Sequence, residues 1–590
     1  MNRRGLLPLA VAVVVAAAFV PTLSGSFLNW DDNVNFLDNS AYRGLDRAHI
    51  RWAFTSVFFG HYIPLTRLTW SLNWVLGGMN PWGYHLVNVL LHAANAALFY
   101  FVARRLLAAA VADGAQAVRR DPDLCGAAAV AAVVWGIHPL RVEPVAWITG
   151  RPDLLCASFV LLTTWGYLRA AETEGTARRG LIWVASVTLA AALLSKGAAL
   201  PFVGALLLLD VYPLRRLRRF GMRPLLREKL PLLLVTLAGA GAVGYAVRQG
   251  AVLTQISEHG TLARIAAAAH SFLVAPVRVI WPAALSPLYE LPARINPLEP
   301  RFVLALVGVP LVTAALIVLR ARWPGGLAAW TFSMLMLAPT SAVLRQGADL
   351  APDRYTYLSG MGFAVLVGGG ALGLIRLVRR GALTRFIGWS TAVAGLIAVV
   401  GLGITSWSYS QVWRESETLW RWAVEVDPDC SVCLAKLGES ALGGPAGQTR
   451  AAEAEGLFRR AIALRTDLPD AYYNLGTALV LQGRYADAEV PLRASLERAP
   501  GSASGSERLG LVYLLQGRYE PAVPLLRAAF VLKPRTPDLR RYLVQALEGQ
   551  AQELRAQGRG GEAETLLAEV RAVSALPLEA VPASGASPRS

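Results

Sequence analysis

Two adjacent carboxylates, Asp31 and Asp32, follow closely on an apolar amino-terminal segment. Residues 6–22 carry no charge and number about 17, close to the shortest run that crosses a hydrocarbon core. A carboxylate just outside such a run is costly unless it binds a cation, pairs with a base or takes part in chemistry, so the pair is a functional candidate. Asp is also a common helix cap, and a capping role at the end of a span fits the same two residues equally well.

Three further ionisable groupings interrupt otherwise apolar sequence. His138, Arg141, Glu143, Arg151 and Asp153 fall between two apolar runs, Lys196 stands alone between two more, and Asp353 precedes Arg354. A single His without partners at metal spacing reads as a ligand or as a structural group with equal force, so both readings of His138 stand. His85 and His92 are seven residues apart and share one face of a span, where packing among aromatics is expected.

The elements that must position these groups belong to a membrane protein. The chain has 590 residues, 54% of them hydrophobic and 16% charged, and its mean hydropathy is +0.42, too apolar for a soluble chain of this length. The net charge of +17 lies mostly in short clusters between apolar runs, as in cytoplasmic loops of membrane proteins. That pattern argues against nucleic acid as a partner and for lipid headgroups at Arg215–Arg219. The amino terminus is expected to be an uncleaved span, not a signal peptide.

Spans are expected near 6–22, 84–107, 125–137, 154–170, 181–194, 198–212, 230–247, 302–319, 327–343, 356–375 and 389–407, eleven in all. Residues 23–83 form the first external loop, with an amphipathic interfacial helix at 46–59. Residues 270–290, interrupted by Pro276, Pro282 and Pro287, read as an interfacial or re-entrant element. Counted this way, every arginine cluster from Arg3/Arg4 to Arg376–Arg385 falls on one side, which the positive-inside rule makes cytoplasmic. The odd number of crossings then puts the carboxyl-terminal part on the external side of a cell or inner membrane.

From about residue 411 the composition turns charged and Ala-rich, and a 34-residue period appears, the length of a tetratricopeptide helix pair. Leu475-Gly476 recurs as Leu509-Gly510, Gln482-Gly-Arg-Tyr485 as Gln516-Gly-Arg-Tyr519, and Ala488/Leu492 as Ala522/Leu526. Four extra residues bring Leu437-Gly438, Ala454, Phe458 and Ala461 into register, and a divergent last repeat carries Leu543, Leu547, Ala563 and Leu567. The expected fold is all-α: a membrane helix bundle over 1–410, a helical-repeat domain over 411–573, and a disordered tail over 574–590. Cys430 and Cys433 have redox-motif spacing without its usual flanks. A local disulfide in an oxidising compartment, or no role, is the better reading.

Taken in order, Trp30-Asp31-Asp32, His61-Tyr-Ile-Pro64-Leu-Thr66, Gly83-Tyr-His85-Leu-Val-Asn88-Val-Leu-Leu-His92, His138-Pro-Leu-Arg141-Val-Glu143-Pro-Val-Ala-Trp147 and Asp353-Arg354-Tyr-Thr-Tyr357 resemble the transmembrane and tetratricopeptide-repeat O-mannosyltransferases and their bacterial relatives. The resemblance covers about 25–570. It implies a GT-C glycosyltransferase that moves a sugar, mannose in the named family, from a polyprenyl-phosphate donor to an external protein or glycan acceptor, with the acidic catalytic motif at Asp31 and Asp32. Two departures, Gly197 after Lys196 and Pro152 after Arg151, bear on donor specificity more than on reaction class.

The chemistry of such a transfer needs a carboxylate to take the acceptor proton and cations for the leaving phosphate. Asp31 and Asp32 point in different directions on a helix, so one is the base, with a slight preference for Asp32. Arg151, Lys196 and Arg354 are the expected phosphate-binding groups. His138, Glu143, Asp153 and Asp353 are expected to orient substrate, to ligate a divalent cation such as magnesium or manganese, or to close the loop. A protein or peptide acceptor would bind through the repeats. The rival readings are a non-catalytic membrane scaffold, which would not need this ionisable set, and a lipid-linked glycan flippase, which would carry its charges at mid-span.

Overall fold

The computed structural model describes residues 6–57, 60–111, 121–249, 260–340, 349–444 and 446–576. It divides into two compact units, Met1–Leu419 and Trp420–Ser590. Among the described residues the regular structure is helical, with one isolated bridge between Glu290 and Asp349.

In the first unit eight helices are long and apolar enough to cross a membrane, and a bent pair, Pro122–Gly136 with Pro139–Ala146, makes a ninth candidate. The bend of 62° falls at His138-Pro139, where proline cannot donate the backbone hydrogen bond that would continue the helix. Three shorter apolar helices, Leu7–Ala18, Gly197–Val211 and Pro324–Leu337, join them, which brings the candidates to twelve.

Hydrogen bonds sort the ends of these helices onto two faces. On one face the first loop is tied to the end of the last span, because Ser26 donates its amide to the Arg414 carbonyl at 2.8 Å and Asn29 donates its amide to Ser416 Oγ at 2.9 Å. On the opposite face Arg105 pairs with Glu172 at 2.5 Å, Arg376 with Asp121 at 3.0 Å, and Arg178 with Glu228. Leu7–Ala18 leads to the same face that the chain occupies after Arg385–Val412.

Thr261–Ile280 is continuous through Pro276 and apolar enough to span, and it touches the loop-face segments at several points. Near its start Ala263 and Ala266 pack with Phe302 and Leu350; farther along Ser271 Oγ donates to the Leu350 carbonyl at 2.9 Å. Near its end Arg278 bonds the Ala351 carbonyl at 2.6 Å, and the Val279 carbonyl meets His138 Nε2 at 3.0 Å. Of the stretch 270–290 expected to be interfacial or re-entrant, the first half belongs to this regular helix, which is itself among the candidate spans. The interfacial helix expected over 46–59 is Arg47–Thr55, capped by Asp46 through the Ala48 and His49 amides; residues 58 and 59 lie outside the described residues.

The second unit is a row of antiparallel helix pairs: Ser431–Leu442 with Ala451–Leu464, Pro469–Leu481 with Tyr485–Arg498, Ala503–Leu515 with Tyr519–Leu532, and Pro537–Ala556 with Gly560–Ala575. The recurring glycine exists for close approach. A Cβ on Gly476 would lie 2.4 Å from Leu492, on Gly510 2.7 Å from Leu526, and on Gly438 2.7 Å from Phe458. The turn glycines Gly483 and Gly517 have φ of +74° and +71°, a conformation side-chain-bearing residues adopt at a cost. Cys430 and Cys433 are disulfide-linked at the start of Ser431–Leu442. Of the tail expected to be disordered, 577–590 lies outside the described residues, and its first residues complete the last helix.

Overpacking a close helix crossing costs roughly 1–3 kcal/mol. Gly476→Ala should therefore lower the unfolding midpoint of the repeat unit, whereas Gly456→Ala, where nothing lies within 4 Å of the added carbon, should leave it unchanged or raise it. Equal effects of the two in thermal unfolding would contradict the packing assigned to the recurring glycine.

Candidate functional site

Two segments of the loop face meet at one carboxylate. Asp32 has no exposed surface. Its Oδ2 accepts from the Leu28 amide at 3.0 Å, and its Oδ1 accepts from the Thr149 amide at 3.2 Å and the Thr149 hydroxyl at 2.6 Å. Those bonds fasten the first loop to the segment between Trp147 and Arg151. Burial raises the pKa of Asp32 to about 7 despite the three donors, and the neighbouring Asp31 charge adds to the rise. Asp31 is one residue earlier on the same turn and is exposed, as expected for successive residues about 100° apart on a helix.

The same fastening brings two indoles together. Trp30 stacks on Trp147 with centroids 4.8 Å apart and planes 19° apart. The Arg354 guanidinium lies 6.0 Å from the first ring and 5.5 Å from the second. Arg354 is buried and pairs with Glu143, which also accepts its backbone amide at 2.7 Å. Tyr355 follows, 5.2 Å from Arg354 and 5.9 Å from the Lys196 ammonium. Lys196 in turn donates to both oxygens of Asp153, at 2.7 and 2.6 Å. Carboxylate, paired indoles and two cations thus come from four widely separated stretches of chain.

The remaining candidates sit differently. Arg151 has no exposed surface; it donates to Asn88 Oδ1 at 2.9 Å, the Thr69 carbonyl at 3.2 Å, the Tyr84 carbonyl at 2.8 Å and Asn73. A guanidinium has five N–H groups, and this one spends them mostly on joining Pro64–Gly77 to Pro81–Val111. It is placed as a clamp and not as a phosphate-binding group. His138 accepts the Leu140 amide on Nδ1 at 3.2 Å, so Nε2 carries the proton donated to the Val279 carbonyl at 3.0 Å. Both ring nitrogens are engaged, and of its two readings the structural one fits.

Asp353, buried behind Arg354, faces Arg278 at 3.1 Å and the Tyr289 hydroxyl at 3.2 Å. Burial raises its pKa to about 7, against the lowering effect of Arg278. His92 packs among Phe19, Trp135 and Tyr357 and hydrogen-bonds the Tyr357 hydroxyl at 2.7 Å, the aromatic environment expected of it.

Among the described residues no three His, Cys, Asp or Glu groups are placed to hold a metal. Glu143, Asp153 and Asp353 each face a cation already, so a magnesium or manganese ion would have to displace Arg354, Lys196 or Arg278. Each of these three carboxylates is thus committed to a cation of the protein itself.

Sequence reasoning missed Thr149, Trp147 as a partner of Trp30, and the Arg278–Tyr289–Asp353 group. Arg278 inside a proline-interrupted apolar stretch was the available signal for the last. Nothing in the sequence marks Thr149.

No family model matches the chain. It is 33% identical over 177 residues to the mouse protein O-mannosyl-transferase TMTC2, which is 29% of this chain and 19% of that protein. It is 31% identical over 166 residues to the Drosophila melanogaster protein O-mannosyl-transferase Tmtc3, 27% of this chain and 18% of that one. With mouse TMTC4 it shares 40% over 116 residues, 19% of this chain and 15% of that one. The matched stretch spans less than a fifth of each relative. Among solved structures, ArnT from Cupriavidus metallidurans bound to undecaprenyl phosphate gives a TM-score of 0.37 at 17% identity, covering 84% of this chain and 80% of that one. MamA gives 0.22 at 20% identity, covering 26% and 85%. At scores this low neither likeness establishes a shared fold.

Asp32 has a testable electrostatic signature. Its folded pKa of about 7 lies above the ordinary 3.8, so the folded state holds a proton that the unfolded chain releases. Stability from this group is fully present below about pH 4 and falls as pH rises to about 7, by an amount on the order of 4 kcal/mol. Asp353 contributes in the same sense. Asp32→Asn should flatten the decline of thermal stability between pH 4 and 7 in detergent; an unchanged slope would refute the assignment.

Proposed function

We propose that this chain is a multi-pass membrane glycosyltransferase. In this reading it moves a sugar, mannose by its likeness to the O-mannosyl-transferases, from a polyprenyl-phosphate donor to a hydroxyl of a protein or peptide acceptor on the external face. The observation that carries the proposal is the loop-face cluster: an exposed carboxylate, Asp31, beside stacked indoles with Arg354 over them, and the Lys196–Asp153 pair adjoining. A pure anchor has no use for such a set. A flippase would place charge along the spans, whereas these groups gather at span ends.

Asp31 takes the acceptor proton as the acceptor oxygen attacks the anomeric carbon, and the bond from that carbon to the phosphate oxygen breaks. The polyprenyl phosphate leaves with its new charge facing Lys196 and Arg354. Accessibility favours Asp31 over Asp32 as the base, reversing the preference drawn from sequence, because a base must reach the proton it takes. Asp32, through Thr149, is a positioning residue. Lys196 is the more reachable cation, its side chain 22% exposed against 9% for Arg354. The Trp30–Trp147 stack offers an apolar plane of the kind sugars lie against.

The arginine clusters favour the opposite face as the inner one, and in this reading the loop face and the repeats are external. A disulfide at Cys430–Cys433 suits an oxidising compartment. The repeats supply the extended helical surface on which an acceptor could be presented.

With purified protein, labelled polyprenyl-phosphate mannose and acceptor peptides, Asp31→Asn should lower transfer about 100- to 10,000-fold without loss of folded protein. Lys196→Ala should raise KM for the donor more than for the acceptor, while Arg151→Ala should chiefly lower the yield of folded protein. Wild-type transfer by Asp31→Asn would overturn the assigned base. Fusions of an externally active phosphatase after residues 150 and 450 should be active, and those after 220 and 380 inactive. Activity after 150 without activity after 450 would place the repeats inside and remove their acceptor role.

A further inference from the structure

A second site lies at the other end of the bundle. A cavity of about 690 Å³ runs between Pro81–Val111, Arg151–Ala171, Phe202–Val211, Pro324–Leu337 and Met361–Arg379. That volume falls within the usual range for ligand sites. Its lining extends along the last of these helices from Met361 to Arg376, about 22 Å at the helical rise per residue. The wall is almost wholly apolar, but at one end stand Arg322 and Arg376 with Tyr212. This is the face of the arginine clusters, opposite Asp31 and Lys196.

The helix Met361–Arg379 presents Gly369, Gly370 and Gly373 to this space. A glycine within a helix costs about 1 kcal/mol relative to alanine, and close packing is the usual compensation. Among the described residues packing does not account for two of these, because a Cβ added at Gly370 or Gly373 meets none of their atoms within 4 Å. No described protein atom requires their smallness; an occupant of the cavity would. The short helices Phe202–Val211 and Pro324–Leu337 leave the room; the first ends at the arginine-rich mouth and the second starts there.

We propose that this cavity binds one anionic glycerophospholipid, with an acyl chain along the glycine face of Met361–Arg379 and the phosphate between Arg322 and Arg376. Charge complementarity at the mouth selects a negative headgroup. The occupant is distinct from the donor lipid, whose phosphate the proposed reaction needs at the opposite face. Two cations at one end of an apolar slot would otherwise attract no particular lipid to this place.

The test uses the full chain reconstituted in bilayers of equal phosphatidylglycerol and phosphatidylcholine, extracted gently and weighed by native mass spectrometry. We expect one phosphatidylglycerol retained in preference to phosphatidylcholine. Arg322→Gln and Arg376→Gln should each reduce that preference about fivefold, the effect of roughly one surface cation on an anionic lipid. Gly370→Leu should remove retention of both lipids, and Gly370→Ala should keep it. If the leucine variant does not fold, the arginine variants decide alone, and Arg322→Gln does so without breaking the Arg376–Asp121 pair. Absence of retained lipid, or retention indifferent to headgroup and to both arginines, overturns the proposal. Retention of an added polyprenyl phosphate in place of the phospholipid, lost in Gly370→Leu, also overturns it and assigns the cavity to the donor's chain.

Discussion

The loop face depends on a carboxylate that water does not reach. Asp32 sits with no exposed surface where three donors converge on it from two stretches of chain. A buried, half-satisfied acceptor would cost several kcal/mol, so the first loop cannot leave the 147–151 segment without exposing or orphaning this group. The stacking of Trp30 on Trp147, the exposure of Asp31 and the seat of Arg354 over both indoles follow from that one junction. Successive residues thus divide two tasks: the buried one fixes the loop, and the exposed one is left to meet solvent or substrate.

Charges elsewhere at the site obey the same rule. Glu143, Asp153 and Asp353 each face a cation from a distant element, and these pairs do not need to be strongly stabilising to matter. Removing one partner from a buried pair leaves an uncompensated charge, at a cost of about 3–5 kcal/mol, so each pair constrains which loops can be neighbours. Arg151 shows the limit of this logic. Its donors go to backbone carbonyls and asparagines, which hold a permanent cation in place without neutralising it, and that is a clamp's geometry.

The bundle and the repeats were legible because they rest on local periodicity. Apolar run lengths, the arginine clusters and the Leu-Gly and Gln-Gly-Arg-Tyr recurrences each speak within a few dozen residues. The depths of Asp31 and Asp32 were not legible, because what buries Asp32 is Thr149, 117 residues away. His138 was ambiguous for the same reason: its second partner is a carbonyl 141 residues on. The surroundings of Arg151 were not legible because a cation at a span end looks the same in sequence whether it faces a ligand or, as here, two neighbouring helices.

The two faces of the bundle solve the problem of charge near lipid in different ways. On the arginine-rich face Asp210 is buried and collects Lys229, Arg216 at 3.0 Å and the Tyr167 hydroxyl at 2.7 Å, while Glu228 takes Arg216 at 2.7 Å and Arg178. The strongly basic 215–229 segment is therefore not uniformly a headgroup contact. Arg216 and Lys229 turn inward as counter-ions, and Arg218, Arg219, Arg223 and Arg227 stay exposed. A cluster that is closed upon itself in this way staples the helix ends on that face. The loop face instead leaves Asp31 exposed and Lys196 partly so, with the ionic pairs arranged behind them. A bundle stapled at one face in this way can carry ionic groups with exposed surface at the other.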